Sequence, residues 1–340
     1  MKALIIGGTG IISTAITEKL ITEGHDVTLL NRGNNPLPAG VKSLIADTND
    51  EAAVKSAVSG LNFDTVAQFK AFVPEHIERD IRLFSGITDQ YIFISSASAY
   101  QKPISHLPIT ESTPLHNPHW QYSRDKAACE EVLMRAYRDT GFPVTIVRPS
   151  HTYDRTSVPV SVHGDKGPWQ VMKRMMEGKP VIVPGDGTNL WAVTNSKDFA
   201  NGFVGLMTNP HTIGNAIHIM NDERLTWNDI YASVARALKA EFRPVYIPSD
   251  ILAKAGDSVG YDLRGSLLGD KTHSVIFDCS KLKSLVPGWN AKIRFDVGVR
   301  ESVGYFLSHP EMQEEDPEFD AFCDRMIDAV NLTRQAISKA

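Results

Sequence analysis

A phenol and an ammonium stand four residues apart in the run Tyr122-Ser123-Arg124-Asp125-Lys126. On an α-helix that spacing puts both side chains on one face. A free tyrosine ionises near pH 10, too high for acid-base work at neutral pH, and a neighbouring ammonium favours the phenolate and draws that value down. The pair reads as a proton carrier with its tuning cation, although the same spacing also occurs in helices where both residues only pack. A second element is the serine run Ser95-Ser96-Ala97-Ser98, directly after the apolar segment Tyr91 to Ile94. A hydroxyl at the carboxyl end of a parallel strand faces the ligand crevice of an open α/β sheet. Ser96 there could hydrogen-bond a substrate carbonyl or hydroxyl beside Tyr122, but spacing alone does not choose among the three serines.

A third element is Gly7-Gly8-Thr9-Gly10-Ile11-Ile12-Ser13, between the apolar run Ala3 to Ile6 and a helical pattern of Ile12, Ile16, Leu20 and Ile21. Glycines at such a turn let the backbone approach a pyrophosphate, and the N–H groups and dipole of a helix N-terminus favour its charge. The third small position is Ser13 and not glycine. At the end of the next strand, Asn31-Arg32 stands where an acidic residue would bind a ribose 2′-hydroxyl and repel a 2′-phosphate. Asn31 keeps a partner for a hydroxyl without the repelling charge, and Arg32 offers a planar fork to a phosphate. This favours NADP over NAD, the bland alternative being a solvated surface arginine.

These residues need a sheet to hold them. Short apolar runs at Ala3 to Ile6, Val27 to Leu30, Val41 to Ala46, Asp64 to Phe69, Tyr91 to Ile94 and Val144 to Val147 alternate with helical patterns. That alternation predicts a parallel sheet covered on both faces, an α/β doubly wound Rossmann domain. Residues 1–154 plus about 191–221 would form it, with a smaller substrate-binding domain from 155–190 plus 222–310 and a helical tail over 311–340. The tail opens on Asp316-Pro317, a cap followed by proline at the first helical position, with Phe319, Phe322, Met326 and Val330 along one face.

The 340 residues are 42% hydrophobic and 22% charged, enough for a packed core and unlike a disordered chain. A net charge of −5 with no basic run makes nucleic acid an unlikely partner. Three scattered cysteines, Cys129, Cys279 and Cys323, form no disulfide framework or zinc spacing and fit a reducing, cytoplasmic setting. No metal site is expected: His116-Asn117-Pro118-His119 is too sparse. No segment reaches the ~20 apolar residues of a membrane span.

Taken together, Gly7-x-x-Gly10-x-x-Ser13, Asp47 after the third strand, Ser96, Tyr122-x-x-x-Lys126 and Arg148-Pro149 at the end of the sixth strand resemble the extended short-chain dehydrogenase/reductases, of the NAD(P)-dependent epimerase/dehydratase type. The match in order and spacing covers roughly residues 1–220. The resemblance implies that Gly7, Thr9, Gly10, Ile11 and Ile12 hold the pyrophosphate and that Asp47 and Thr48 contact the adenine. It implies that Lys126 binds the nicotinamide ribose and tunes Tyr122, and that Ser96 positions the reacting oxygen. Pro149 and Ser150 would border the nicotinamide and His151 would face the substrate. Asn31, Arg32 and Phe69 complete the expected cofactor-binding set. A homodimer, often formed through the helix bearing Tyr122, is the family's habit.

Departures narrow the reading. Gln68-Phe69-Lys70-Ala71 is larger and more charged than the small residues usual after the fourth strand, which leaves open whether Lys70 enters the cofactor site. Ala97-Ser98 replaces the Asp-Glu pair with which sugar 4,6-dehydratases eliminate water. The expected activity is therefore hydride transfer to or from a hydroxyl/ketone carbon, with a carbonyl, hydroxyl or nucleotide-sugar substrate. A nucleotide-sugar epimerase is the close alternative. An RNA-binding or regulatory protein without turnover is the alternative of another class, since chloroplast stem-loop RNA-binding proteins resemble the same Gly-Gly-Thr-Gly start.

Overall fold

The computed structural model describes residues 1–34 and 37–339. In chain order, the first half runs β1 (Lys2–Ile6), α1 (Ile11–Thr22), β2 (Asp26–Asn31), β3 (Lys42–Ile45), α2 (Glu51–Val58), β4 (Thr65–Gln68), α3 (Pro74–Phe84), β5 (Tyr91–Ile94), α4 (Gln121–Thr140), β6 (Val144–Arg148) and β7 (His151–Tyr153). The second half runs α5 (Trp169–Met176), β8 (Val181–Pro184), β9 (Leu190–Trp191), β10 (Val193–Asn195), α6 (Ser196–Leu206), β11 (Asn215–His218), β12 (Leu225–Thr226), α7 (Trp227–Leu238), β13 (Pro244–Ile247), α8 (Ser249–Asp257), a π-helical turn (Arg264–Lys271), α9 (Ser280–Leu285), α10 (Phe295–Ser308) and α11 (Pro317–Ile337).

Seven strands form one sheet in the order β11-β6-β5-β4-β1-β2-β3, every neighbouring pair parallel. The crossover between β1 and β4 is the point where strand order reverses, and there a ligand crevice opens at the carboxyl ends. The strands read as continuous apolar runs because both faces are covered. Ala3 and Ile5 join the core shared with α1 and α6, whereas Leu4 and Ile6 face the core built with α2, α3 and α4. The predicted doubly wound sheet is thus the observed one. β11 supplies its seventh strand from the late apolar run after the first excursion, pairing with β6.

The later segments pack on that frame through short ribbons, β8 with β13 and β7 with β10, which the sequence reading did not anticipate. The stretch from Ser249 to Lys271 forms α8 and the π-helical turn. The tail helix begins as its sequence requires: the Asp316 carboxylate accepts from the Phe319 N–H at 3.0 Å and Pro317 fills the first helical position. Phe319 and Phe322 are buried, and the buried Arg174 clamps the helix through Asp320 at 2.7 Å and Asp324 at 2.8 Å.

One buried polar network fixes the edge of the sheet. Arg148, at the end of β6, meets Glu130 of α4 through Nε at 2.9 Å and Nη2 at 2.5 Å. Its Nη1 donates to the Tyr100 hydroxyl at 2.8 Å, and that hydroxyl donates to Nε2 of His218. The His218 Nδ1–H donates in turn to the Asp278 carbonyl at 3.0 Å. Removing one member of such a buried ion pair costs about 3–5 kcal/mol because the other charge is left without a partner. Burial holds His218 at about 4, against the pull of Glu111 toward the charged form and with Arg148 and Lys281 opposing it. The unfolded chain binds a proton at His218 near pH 6.5 and the folded chain does not, so stability falls as pH drops from there toward about 4. The urea midpoint of the wild type should decline between pH 7 and pH 5, and His218→Gln should show a shallower decline over the same interval.

Candidate functional site

Gly7 and Gly8 adopt φ of 109° and 48°, which L side chains avoid. A Cβ on Gly7 would lie 2.8 Å from Lys70 Cγ, and one on Gly8 2.8 Å from Leu29 Cδ2, so the turn is closed to larger residues. Gly10 caps α1 and donates to Ser13 Oγ at 2.9 Å, which gives Ser13 a purpose a glycine would lack. The turn borders a cavity of about 450 Å³ that brings together Gly7, Thr9, Asn31, Arg32, Asp47 and Thr48. Lys70 also lines this wall.

Two observations show that this cavity fits the adenosine and pyrophosphate half of a dinucleotide. The Asn31 Nδ2 is buried and has no partner among the described residues, while its Oδ1 accepts from the Gly33 N–H at 2.8 Å. The glycine turn presents bare backbone at a helix N-terminus. A buried network behind it steadies the walls. Asp80 accepts from Arg79 Nη2 at 2.8 Å, Gln68 Nε2 at 2.5 Å and the Tyr91 hydroxyl at 2.7 Å. Arg79 also holds the Thr48 carbonyl, and Gln68 Oε1 accepts from the Lys70 N–H at 2.6 Å. Other expected residues lie apart. Ile11 borders a smaller cleft with Gly10 and Arg155, Ile12 packs against the core, and Phe69 turns its ring onto Phe203 at 5.9 Å.

A second cavity, of about 380 Å³, is lined by Ser96, Tyr122, Pro149, Ser150 and His151. Five residues from three separate stretches of sequence thus meet at the carboxyl ends of β5 and β6. Ser96 is set by the turn after β5, its Oγ accepting from the Ser98 N–H at 3.2 Å and lying 2.9 Å from Ser98 Oγ. Ser98 Oγ in turn accepts from the buried Ser123 hydroxyl at 2.8 Å. The serine run therefore divides its labour: Ser96 and Ser98 both line the cavity, Ser98 also ties the turn to α4, and Ser95 bonds Glu130. Ser150 donates to the Ala192 carbonyl at 3.1 Å.

Lys126 lies between the two cavities. Its ammonium donates to the carbonyls of Ala71 and Ile94, both at 2.8 Å, which are the chain segments leaving β4 and β5. It stands 4.9 Å from the ring of Phe72, a wall of the first cavity, and 5.8 Å from that of Tyr122, a wall of the second. Two of its three N–H donors are used, leaving one for a ligand hydroxyl. Burial lowers Lys126 to about 8. Tyr122 departs from the sequence expectation. Burial, the largest cause, holds it above its ordinary value, and the Ser96 hydroxyl only partly offsets this. Desolvation of the phenolate outweighs the Ser96 hydrogen bond, and the charge of Asp270 adds to it.

Several cavity residues were not singled out from sequence. His163, Asp270, Lys271 and Phe277 line the Tyr122 cavity, and the buried Asn117 bridges its two sides by donating to the carbonyls of Ser98 at 2.8 Å and Gly269 at 2.6 Å. Trp120 and Trp191 are also in the wall. His151 accepts from Trp191 Nε1 at 3.4 Å, and burial pushes it down to about 3, so it is a neutral imidazole. No helix among the described residues is long and apolar enough to cross a membrane.

A model of the NAD dependent epimerase/dehydratase family matches residues 3–220, and the chain belongs to that family. It is an enzyme of the NAD(P)-dependent oxidoreductase and epimerase class. The chain is 24% identical over 294 residues to 2'-dehydrokanamycin reductase of Streptomyces kanamyceticus, covering 86% of this chain and 81% of that protein. It is 28% identical over 252 residues to chloroplast stem-loop binding protein of 41 kDa b of Arabidopsis thaliana, covering 69% of this chain and 63% of that protein. In fold it is similar to UDP-glucuronic acid 4-epimerase from Bacillus cereus, solved with UDP-glucuronic acid and NAD, with a TM-score of 0.71 and 17% identity over 91% of this chain and 99% of that one.

Proposed function

We propose that the protein is an NADP-preferring reductase that converts a small cyclic ketone to an alcohol. The observation that carries this reading is Tyr122 beside Ser96 in the cavity that Pro149, Ser150 and His151 complete. A nicotinamide held beside Pro149 and Ser150 would supply the hydride for the carbonyl carbon. The Ser96 hydroxyl donates a hydrogen bond to the carbonyl oxygen. Tyr122, kept protonated by its burial, passes its phenolic proton to that oxygen as negative charge develops on it. Lys126 steadies the phenolate left behind and offers its remaining N–H to the ribose. The substrate would sit between the Rossmann portion (1–154 plus about 191–221) and the segments 155–190 and 222–310, with 311–340 as a helical tail bracing the latter.

The reductive reading is preferred over the epimerase alternative, which would use the same Tyr122 first as base and then as acid. The 24% identity to a reductase across most of the chain supports the same choice. Preference for NADP rests on Arg32 and Lys70, two cations on the wall that Asn31 shares, and on the absence of an acidic residue at the end of β2. A homodimer and a cytoplasmic location accompany this reading, the latter supported by three free, buried cysteines. The alternative of RNA binding without turnover draws support from the stem-loop binding relative. Against it stand the paired Tyr122 and Lys126 and the net charge of −5.

Tyr122→Phe should lower kcat by about 10²–10⁴-fold and leave NADPH affinity nearly unchanged, measured by cofactor fluorescence and steady-state kinetics. Retained turnover would refute the acid role. Arg32→Asp should weaken NADPH relative to NADH by about 10–100-fold, the worth of a charge-assisted hydrogen bond; an unchanged ratio would remove Arg32 from the phosphate site.

A further inference from the structure

The charged lining of the Tyr122 cavity is sparse and specific. Among the described residues, Asp270 and Lys271, at the end of the π-helical turn, are its only acidic and basic residues besides two histidines that burial keeps neutral, and no arginine lines it. The single wall ammonium, Lys271, already donates to the Ser161 carbonyl at 3.1 Å. The carboxylate of Asp270 has no hydrogen-bond donor within range among the described residues. Its ion-pair partner, the buried Lys102 Nζ, stands 3.6 Å away, longer than a hydrogen bond. Beyond that long ion pair, Asp270 keeps acceptor capacity on the wall it shares with Tyr122, whose ionisation it opposes.

The position of that carboxylate is not incidental. Asn117 grips the Gly269 carbonyl at 2.6 Å, and Trp120 packs so closely that a Cβ on Gly269 would lie 2.8 Å from Trp120 Cβ. Trp120 Nε1 donates to Asp262 at 3.0 Å at the other end of the same segment. Irregular π-turns recur at functional sites because they re-aim side chains. The remaining walls, Trp120, Trp191 and Phe277, are flat and apolar, suited to the C–H face of a saturated ring. The volume of about 380 Å³ lies near the lower end of the ~300–1,000 Å³ span of small-molecule sites.

Building on the reductase reading, we propose that Asp270 is the specificity residue of this cavity. It takes a hydroxyl or ammonium donor from an unphosphorylated, polyhydroxylated ring, and the cavity excludes nucleoside diphosphate sugars. A diphosphate needs paired cations or convergent N–H donors, and this wall offers one ammonium already in use, Lys271, beside the Asp270 carboxylate.

Trp120 and Trp191 in the wall make intrinsic tryptophan fluorescence a direct readout that needs no turnover. The full-length chain, with saturating NADPH, is titrated with myo-inositol, with an aminodeoxy-inositol and with UDP-glucose. The proposal expects saturable quenching by at least one cyclitol, none by UDP-glucose, and a loss of cyclitol affinity of about 10–100-fold in Asp270→Asn, the worth of a hydrogen bond to a charged group. The wild-type comparison stands even where the variant folds poorly. Tighter binding of UDP-glucose, no response to either cyclitol, or unchanged cyclitol affinity in folded Asp270→Asn would each overturn it. Expected binding by the cyclitols, but no reduction of the corresponding keto-cyclitols, would uphold the cavity assignment and sink the reductase reading instead.

Discussion

A buried ammonium between two strand ends is the constraint on which this site depends. Lys126 comes from the second turn of α4, yet its charge is satisfied by the carbonyls of Ala71 and Ile94, which belong to the chain leaving β4 and β5. An isolated ammonium in such a place would be strongly disfavoured. Two charge-assisted hydrogen bonds and the faces of Phe93, at 4.7 Å, and Phe72 make it tolerable. In consequence α4 cannot slide along the sheet without stranding the charge. The helix that carries Tyr122 is locked in register with the two loops that shape the glycine-turn cavity on one side and the Tyr122 cavity on the other.

Secondary networks extend that lock outward. Glu130, one turn further along α4, joins Arg148 and Ser95 and so ties the helix to the ends of β5 and β6. Ser123 reaches Ser98, and Asn117 carries the connection across the cavity to Gly269. Arg79 and Asp80 do the same for the loops after β3 and β4. Polar groups buried in this way are costly unless every partner is present. Fully satisfied, they hold a phenol, a serine hydroxyl and a carboxylate around one small volume.

Much of this was legible in the sequence for local reasons. The run Ala3 to Ile6 had to be a strand buried on both faces, and the glycines after it had to turn backbone toward a ligand. Tyr122 and Lys126 had to share a helical face. Asp316-Pro317 announced its helix, and the apolar residues of α11 their burial. What stayed hidden depended on distant encounters. Nothing local marks Asp270 as a wall of the Tyr122 cavity, because the placement is decided by Asn117, 153 positions earlier in numbering, and by Trp120 packing on glycines of a π-turn. The raised pKa of Tyr122 was hidden for the same reason: spacing reports a neighbouring ammonium, whereas burial, which opposes ionisation, is a property of the whole fold. Phe69 showed its size in sequence but not its direction, and the structure turns it onto Phe203.

The central claim is that Lys126 serves the cofactor as well as the fold. Its most direct test is a fluorescence titration of NADPH against the wild type and Lys126→Met, in samples whose thermal melts show a folded chain. Saturable binding at one cofactor per chain is expected in the wild type, with a loss of about tenfold or more in the variant, as for a charge-assisted hydrogen bond. Equal affinity in the two proteins, or no binding by the wild type, would contradict it.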